Sequence, residues 1–178
     1  MNVGPETHRG IGPSSSMERT SVPSAHQQHE VPQAIRSFST MADPDYVDLF
    51  TLETSDAGGW SPEQWARAMF EDVAGEQGQR VWRELLGLRL ERPGSPGCVA
   101  GWRIADRGDS WVRVEASSSF LTAHLVIQIG DGQVSFATFM QYDGPEGARI
   151  WTPASPRHRG AAPSLLEQAY HFLQSRPC

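Results

Sequence analysis

The sequence predicts an α+β domain in which a curved antiparallel sheet is covered by a C-terminal helix. Three observations carry this. Residues 98–142 alternate apolar and polar side chains through two consecutive hairpins, two short helix-period segments stand between the first strand and those hairpins, and the amphipathic stretch "SLLEQAYHFL" comes near the chain end. A period of two marks a strand and recurrence at three and four marks a helix, so the order of periods is an order of elements. Such a sheet has one apolar face to bury, and the last helix is the element left to cover it. The length, 178 residues, suits one domain with a sizeable core.

Residues 1–40 are rich in Ser, Pro, Gln and His and show no apolar period, so the expectation is a disordered leader followed by a single domain over 41–175. Met41, opening "MADPDYVDLF", is an alternative start. His8, His26 and His29 lie in the leader at irregular spacing with no carboxylates beside them, which fits disorder better than a metal tract. "DYVDLFTLET" reads as the first strand, ended by Gly58-Gly59. In "SPEQWARAMFEDV", Ser61 is the N-cap, Pro62 takes the first helical position and Gln64 completes a capping box. Trp65, Met69, Phe70 and Val73 form its apolar stripe. A second helix, "GQRVWRELLG", places Val81, Trp82, Leu85 and Leu86 on a broad apolar face and stops near Gly87.

Strands follow. A three-residue loop at Arg107–Asp109 sets Trp102 and Ile104 opposite Val114 and Val112, and on the other face Arg103 opposite Arg113, which requires that face to be wet. The next hairpin is cleaner. With Asp131-Gly132 as a type I′ turn, Ile129 faces Val134, Ile127 faces Phe136, Leu125 faces Thr138, Ala123 faces Met140 and Leu121 faces Tyr142. The opposite face carries Thr122, His124, Gln128, Ser135 and Gln141 and is read as solvated. "ARIWTP" reads as a last strand. The closing helix then carries Leu165, Leu166, Ala169, Tyr170 and Leu173, with Pro163 at a kink or start and Ser164 and Glu167 as a second capping box.

Composition removes several function classes. The net charge is −6 and the fifteen Arg are scattered, so the basic stripe of a nucleic-acid binder is missing. No apolar run approaches the roughly 20 residues of a membrane span, and no secretory signal opens the chain. Cys98 and Cys178 are too few for a disulfide framework, and no zinc spacing occurs, so a reduced cytoplasmic setting with no metal or cofactor is expected. Ser117 to Ser119 lack a GxSxG context, and no catalytic residue is nameable.

The order strand, two short helices, antiparallel hairpins and closing helix is the helix-grip order, and it resembles the START-like (SRPBCC) superfamily of polyketide cyclases and aromatases, lipid-transfer domains and plant pathogenesis-related proteins. Within it, "PDYVDLF", "SPEQWARAMFE", "LGLRL", "GWRIADR", "VRVEASSSFLTAHLVIQIGDGQVSFATFMQYD" and "IWTPASPRHRGAAPSLLEQA" together resemble domain-of-unknown-function family 2867 from about Asp43 to Tyr170. That family has no assigned activity, and its members are mostly actinobacterial. Fifteen Arg with no Lys point the same way, through the codon usage of a GC-rich genome.

The resemblance implies a pocket between the sheet and its closing helix. Trp102, Ile104, Val112, Val114, Leu125, Ile127, Phe136, Thr138 and Met140 share the expected inner face, with Tyr142 at its end. The first expectation is therefore a binding protein for a small hydrophobic ligand. A cyclase-like enzyme using the same cavity is the second, and an interaction module with a filled core the third. A proton-shuttling side chain pointing inward would favour the enzyme. Alternation puts His124 outward, and His158 in "PRHR" reads as a surface or loop residue, its neighbours Arg157 and Arg159 as exposed cations.

Overall fold

Seven strands build one antiparallel sheet in the order β1-β2-β7-β6-β5-β4-β3, in a computed structural model that describes residues 22–176. The strands are β1 Ala25–Gln27, β2 Tyr46–Glu53, β3 Cys98–Val99, β4 Trp102–Arg107, β5 Trp111–Ser117, β6 Leu121–Gly130 and β7 Gln133–Tyr142. The β6–β7 register is the one alternation predicts at every pair, from Ile129↔Val134 to Leu121↔Tyr142. The turn itself differs. Gly132 has φ +69, but Ala100 is the one described non-glycine residue at positive φ, so Asp131 lacks the second left-handed conformation that a type I′ turn needs.

The β4–β5 hairpin corrects a second expectation. Ile104 lies opposite Val114, not Val112, and a bulge between Ile104 and Asp106 shifts the register. Trp102 pairs with Val99 of β3. Arg103 thereby meets Glu115 at 2.9 Å instead of facing Arg113, and Arg113 reaches the same carboxylate at 2.9 Å. The bulge removes a like-charge pair by inserting one residue.

Helix α1 (Gln33–Arg36) is short. Helix α2 (Pro62–Arg67) opens with the predicted capping box: Ser61 Oγ accepts from the Gln64 amide, and the Gln64 side chain accepts from the Ser61 amide. It continues through a wider π turn, Ala68–Val73, and buries Trp65, Met69 and Phe70 on the sheet. Helix α3 (Gly75–Arg80) continues likewise as Val81–Leu85. Its apolar face is broad as expected but not covered: Val81 and Leu85 are 42% and 47% exposed.

The largest correction concerns the chain end. "ARIWTP" is no strand: helix α4 runs over Pro145–Ser175, 31 residues, and absorbs Pro153, Pro156 and Pro163. Three prolines make 148–163 a poor helix by propensity, but a tertiary surface outweighs propensity. Gly147, Trp151, Ser155, Ala162, Leu166, Ala169 and Leu173 are buried at helical spacing along one face. Each interior proline withdraws an amide from the carbonyl four residues back. For Pro156 that carbonyl belongs to Thr152, and Ser155 Oγ takes it at 3.0 Å. Glu167 is no cap; it accepts from the Ala25 amide at 2.8 Å and ties α4 to β1.

Order also begins before residue 40. The expected disordered leader holds over none of 25–39: β1 pairs with β2, and Ile35 of α1 is buried with Leu49, Val126, Ala137 and Phe139, with Val31, Phe38 and Met41 packed around them. These residues form a second core on the sheet face opposite α4. His8 lies outside the described residues. The architecture is an α+β helix-grip fold, with α2, α3 and α4 on the inner face and the segment 31–41 on the outer one.

Candidate functional site

A cleft of about 820 Å³ lies between the sheet, the Val81–Leu85 turn and the part of α4 from Ile150 to Gln168. Its floor is Trp102, Leu125, Phe136, Thr138 and Met140, five of the ten inner-face residues picked out by alternation. The other five are elsewhere. Val112, Val114 and Ile127 belong to the solid core on strands β5 and β6, which α2 covers. Ile104 is half-buried against that core, and Tyr142 is half-buried at a strand end beside Gly147. The core is therefore filled under α2 and open under α4.

The walls come from residues that alternation in strands could not reach. Val81, Trp82 and Leu85 form one side; Ile150, Trp151, Ala154, His158, Ala162 and Leu165 of α4 form the other, with Arg157 and Gln168. The exposed Val81 and Leu85 are thereby explained as cleft lining.

His158 is the largest departure from the sequence reading. It occupies the gap between Ser155 and Ala162 in the buried stripe of α4, and so faces the sheet. Its Nε2 lies 3.0 Å from Asp48 Oδ2 and 3.3 Å from Thr138 Oγ1. The rings of Trp151, Phe50 and Phe136 surround the imidazole at 5.3, 6.2 and 6.2 Å. Asp48 is opposite Thr138 in the β2–β7 register and only 2% exposed. Tyr46 Oη donates to Asp48 Oδ2 at 2.6 Å, Arg159 Nη1 donates to Tyr46 Oη at 3.3 Å, and Asp48 Oδ1 has no partner. Burial first, and then the neighbouring Asp48 charge, holds the Tyr46 phenol far above the usual tyrosine range, so it stays a donor.

Asp48 was legible as a strand residue but not as an inward one. In "YVDLFTLE" Tyr46, Asp48, Phe50 and Leu52 share one face and Val47, Leu49 and Thr51 the other, and both faces are apolar enough to be buried.

His124 corrects the other assignment. It is 5% exposed, not solvated: its Nδ1 lies 2.9 Å from Ser39 Oγ and its Nε2 3.4 Å from Glu115 Oε2. Burial depresses its pKa, opposed by Glu115 and aided by Arg113 and Arg103. Both nitrogens are occupied within the outer core. A second, polar groove of about 600 Å³ runs along Arg89, Glu91, Cys98, Arg103, Glu115 and Thr122 and contains none of the expected site residues. Among the described residues no group of three or more His, Cys, Asp or Glu is placed to hold a metal, and no helix is long and apolar enough to cross a membrane.

No protein-family model and no curated protein matches this chain. Among solved structures, norcoclaurine synthase from Thalictrum flavum, in complex with dopamine and hydroxybenzaldehyde, is similar at 11% identity, over 97% of this chain and 100% of that one, with a TM-score of 0.34. At that level the likeness adds nothing to the fold read from the topology itself.

Proposed function

We propose that this chain is a binding protein for a small hydrophobic molecule, taken up between the curved sheet and α4. The observation that carries the reading is the cleft of about 820 Å³ whose walls include Val81 and Leu85, left 42% and 47% exposed. Large apolar side chains left open in a concave surface are a surface awaiting cover. An apolar ligand covering them gains roughly 25 cal/mol per Å² of apolar area removed from water. Arg157, His158 and Gln168 are among the polar side chains in the lining that orient it. The open cleft supports this reading over the filled-core alternative.

Kinship with family 2867, an actinobacterial source and a cytoplasmic setting belong to the same proposal. They rest on the sequence pattern, the arginine bias and the free, buried Cys98.

The test is binding of Nile red, an apolar dye that brightens out of water, together with native mass spectrometry of protein purified from its own host. Dye binding weakened by Leu85→Glu, or a co-purifying small molecule, is the expected result. Absence of both would overturn the reading.

A further inference from the structure

We propose that His158 is a general base inside the cleft, positioned by Asp48, and that the cleft acts on an apolar molecule carrying an acidic C–H next to a carbonyl. This rests on the cleft being a binding site and adds an activity to it.

The argument starts from the two nitrogens of one ring. Nε2 sits 3.0 Å from a carboxylate oxygen, and a lone pair there would face the lone pairs of that oxygen. The proton of the neutral ring therefore belongs on Nε2, where Thr138 Oγ1 at 3.3 Å also accepts it. That leaves the lone pair on Nδ1, which has no partner among the described residues and is not among the sealed, unpartnered atoms of the interior. His158 lines the cleft, so the free basic nitrogen is the one available to a bound molecule.

The same arrangement suits the protonated state. When Nδ1 takes a proton, the imidazolium has Asp48 beside it in surroundings made of Trp151, Phe50 and Phe136, where opposite charges attract more strongly than in water. Asp48 is held by the Tyr46 hydroxyl on Oδ2, while Oδ1 is buried without a partner. A buried carboxylate so sparsely bonded is a costly element for a core, and its charge is matched by the proton that His158 would acquire.

The step balances without a co-reactant. Nδ1 accepts the proton from carbon, the C–H electron pair becomes the enolate double bond, and the carbonyl oxygen takes the negative charge. The same imidazolium then returns the proton to another atom of that enolate, which is an isomerisation. Arg157, in the same lining, is the cation available to the enolate oxygen.

A generic probe tests the base directly. In 5-nitrobenzisoxazole, removal of the ring C–H proton breaks the N–O bond and gives a nitrile and a coloured phenolate, with no other reactant. The full chain is expected to accelerate this elimination. His158→Gln should lower the rate by about 10²-fold, the usual weight of a positioned base, a loss far larger than any change in Nile red affinity, since Gln also lines the cleft. Asp48→Asn keeps the imidazole but removes the carboxylate beside Nε2, so kcat for the probe should fall while its KM is unchanged. A wild type that binds Nile red but turns the probe over no faster than His158→Gln would overturn the base and leave the binding reading standing. A wild type that does neither overturns both, and an unchanged kcat in Asp48→Asn removes Asp48 from the scheme.

Discussion

The two faces of the sheet each hold a histidine, and they treat it in opposite ways. On the outer face His124 has both nitrogens engaged, by Ser39 and by Glu115, under a cover of residues 31–41. On the inner face His158 has one nitrogen held between Asp48 and Thr138 and the other free beside a cleft of about 820 Å³. A satisfied polar group closes a core, whereas a half-satisfied one next to open volume marks where a second molecule completes the bonding. The outer face is accordingly the one that stability depends on, and the inner face carries the chemistry.

The most severe way to break this comparison is to strip the outer face. Deleting residues 22–40 exposes Leu49, Val126, Ala137 and Phe139 and orphans His124. Loss of the buried Ile35 and Phe38 contacts together with the Ser39 hydrogen bond should cost at least about 4 kcal/mol, read as a lower urea midpoint. A truncated chain with an unchanged midpoint would mean that the cover is ornamental.

Next, paired truncations compare the faces at equal chemistry. Phe139→Ala, in the outer core, should cost about 3–5 kcal/mol, because it opens a hole in packed surroundings. Phe136→Ala borders existing volume and has fewer contacts to lose, so about 2–3 kcal/mol is expected, with a clear change in Nile red affinity. Equal costs and an unaltered dye affinity would show the inner face to be as closed as the outer one.

A smaller effect is expected at the turn that keeps the faces distinct. A one-residue slip of β6 on β7 would exchange them, and Gly132 at φ +69 fixes the register. Gly132→Val should destabilise by more than about 1 kcal/mol although its side chain would meet no neighbour, since the strain lies in the backbone.

The mildest effect is that of pH on the outer histidine. The folded pKa of His124 lies below its ordinary value, so between those two values the unfolded chain binds more protons and stability rises with pH. The contribution is fully present above about pH 6.5 and fades as pH falls towards the depressed value. Urea midpoints across that window should show this slope, and His124→Gln should flatten it.

What could be read from the sequence follows from where one physical signal dominates. The β6–β7 register was legible because apolar and polar residues alternate there without a break, and the α2 start because Ser61, Pro62 and Gln64 each satisfy a distinct requirement of a helix end. Half of the cleft was legible for the same reason, since its floor is sheet. Its α4 wall was not: three prolines contradict the helix locally, and only the surface it packs on resolves the conflict. The outer cover did leave a trace. Val126, Ala137 and Phe139 break the polar run of the face that carries His124, and Val31, Ile35, Phe38 and Met41 recur at three and four. A wet sheet face has no need of a phenylalanine, and the two irregularities account for each other.

The prolines of α4 have a consequence for motion. Pro153, Pro156 and Pro163 all fall before Ser164, in the stretch where Pro153 itself lines the cleft, and the stretch from Ser164 to Ser175 has none. Each removes one rung of the helical ladder, and an added rung is what the neighbouring turn must break in order to open. The stretch of α4 from Pro145 to Pro163 should therefore exchange its amide hydrogens faster than the stretch from Ser164 to Ser175, by openings that leave the Leu166, Ala169 and Leu173 contacts intact. A molecule larger than the resting mouth of the cleft enters only as often as this wall breathes, and the frequency of that breathing is tuned by three residues that each lack an amide hydrogen.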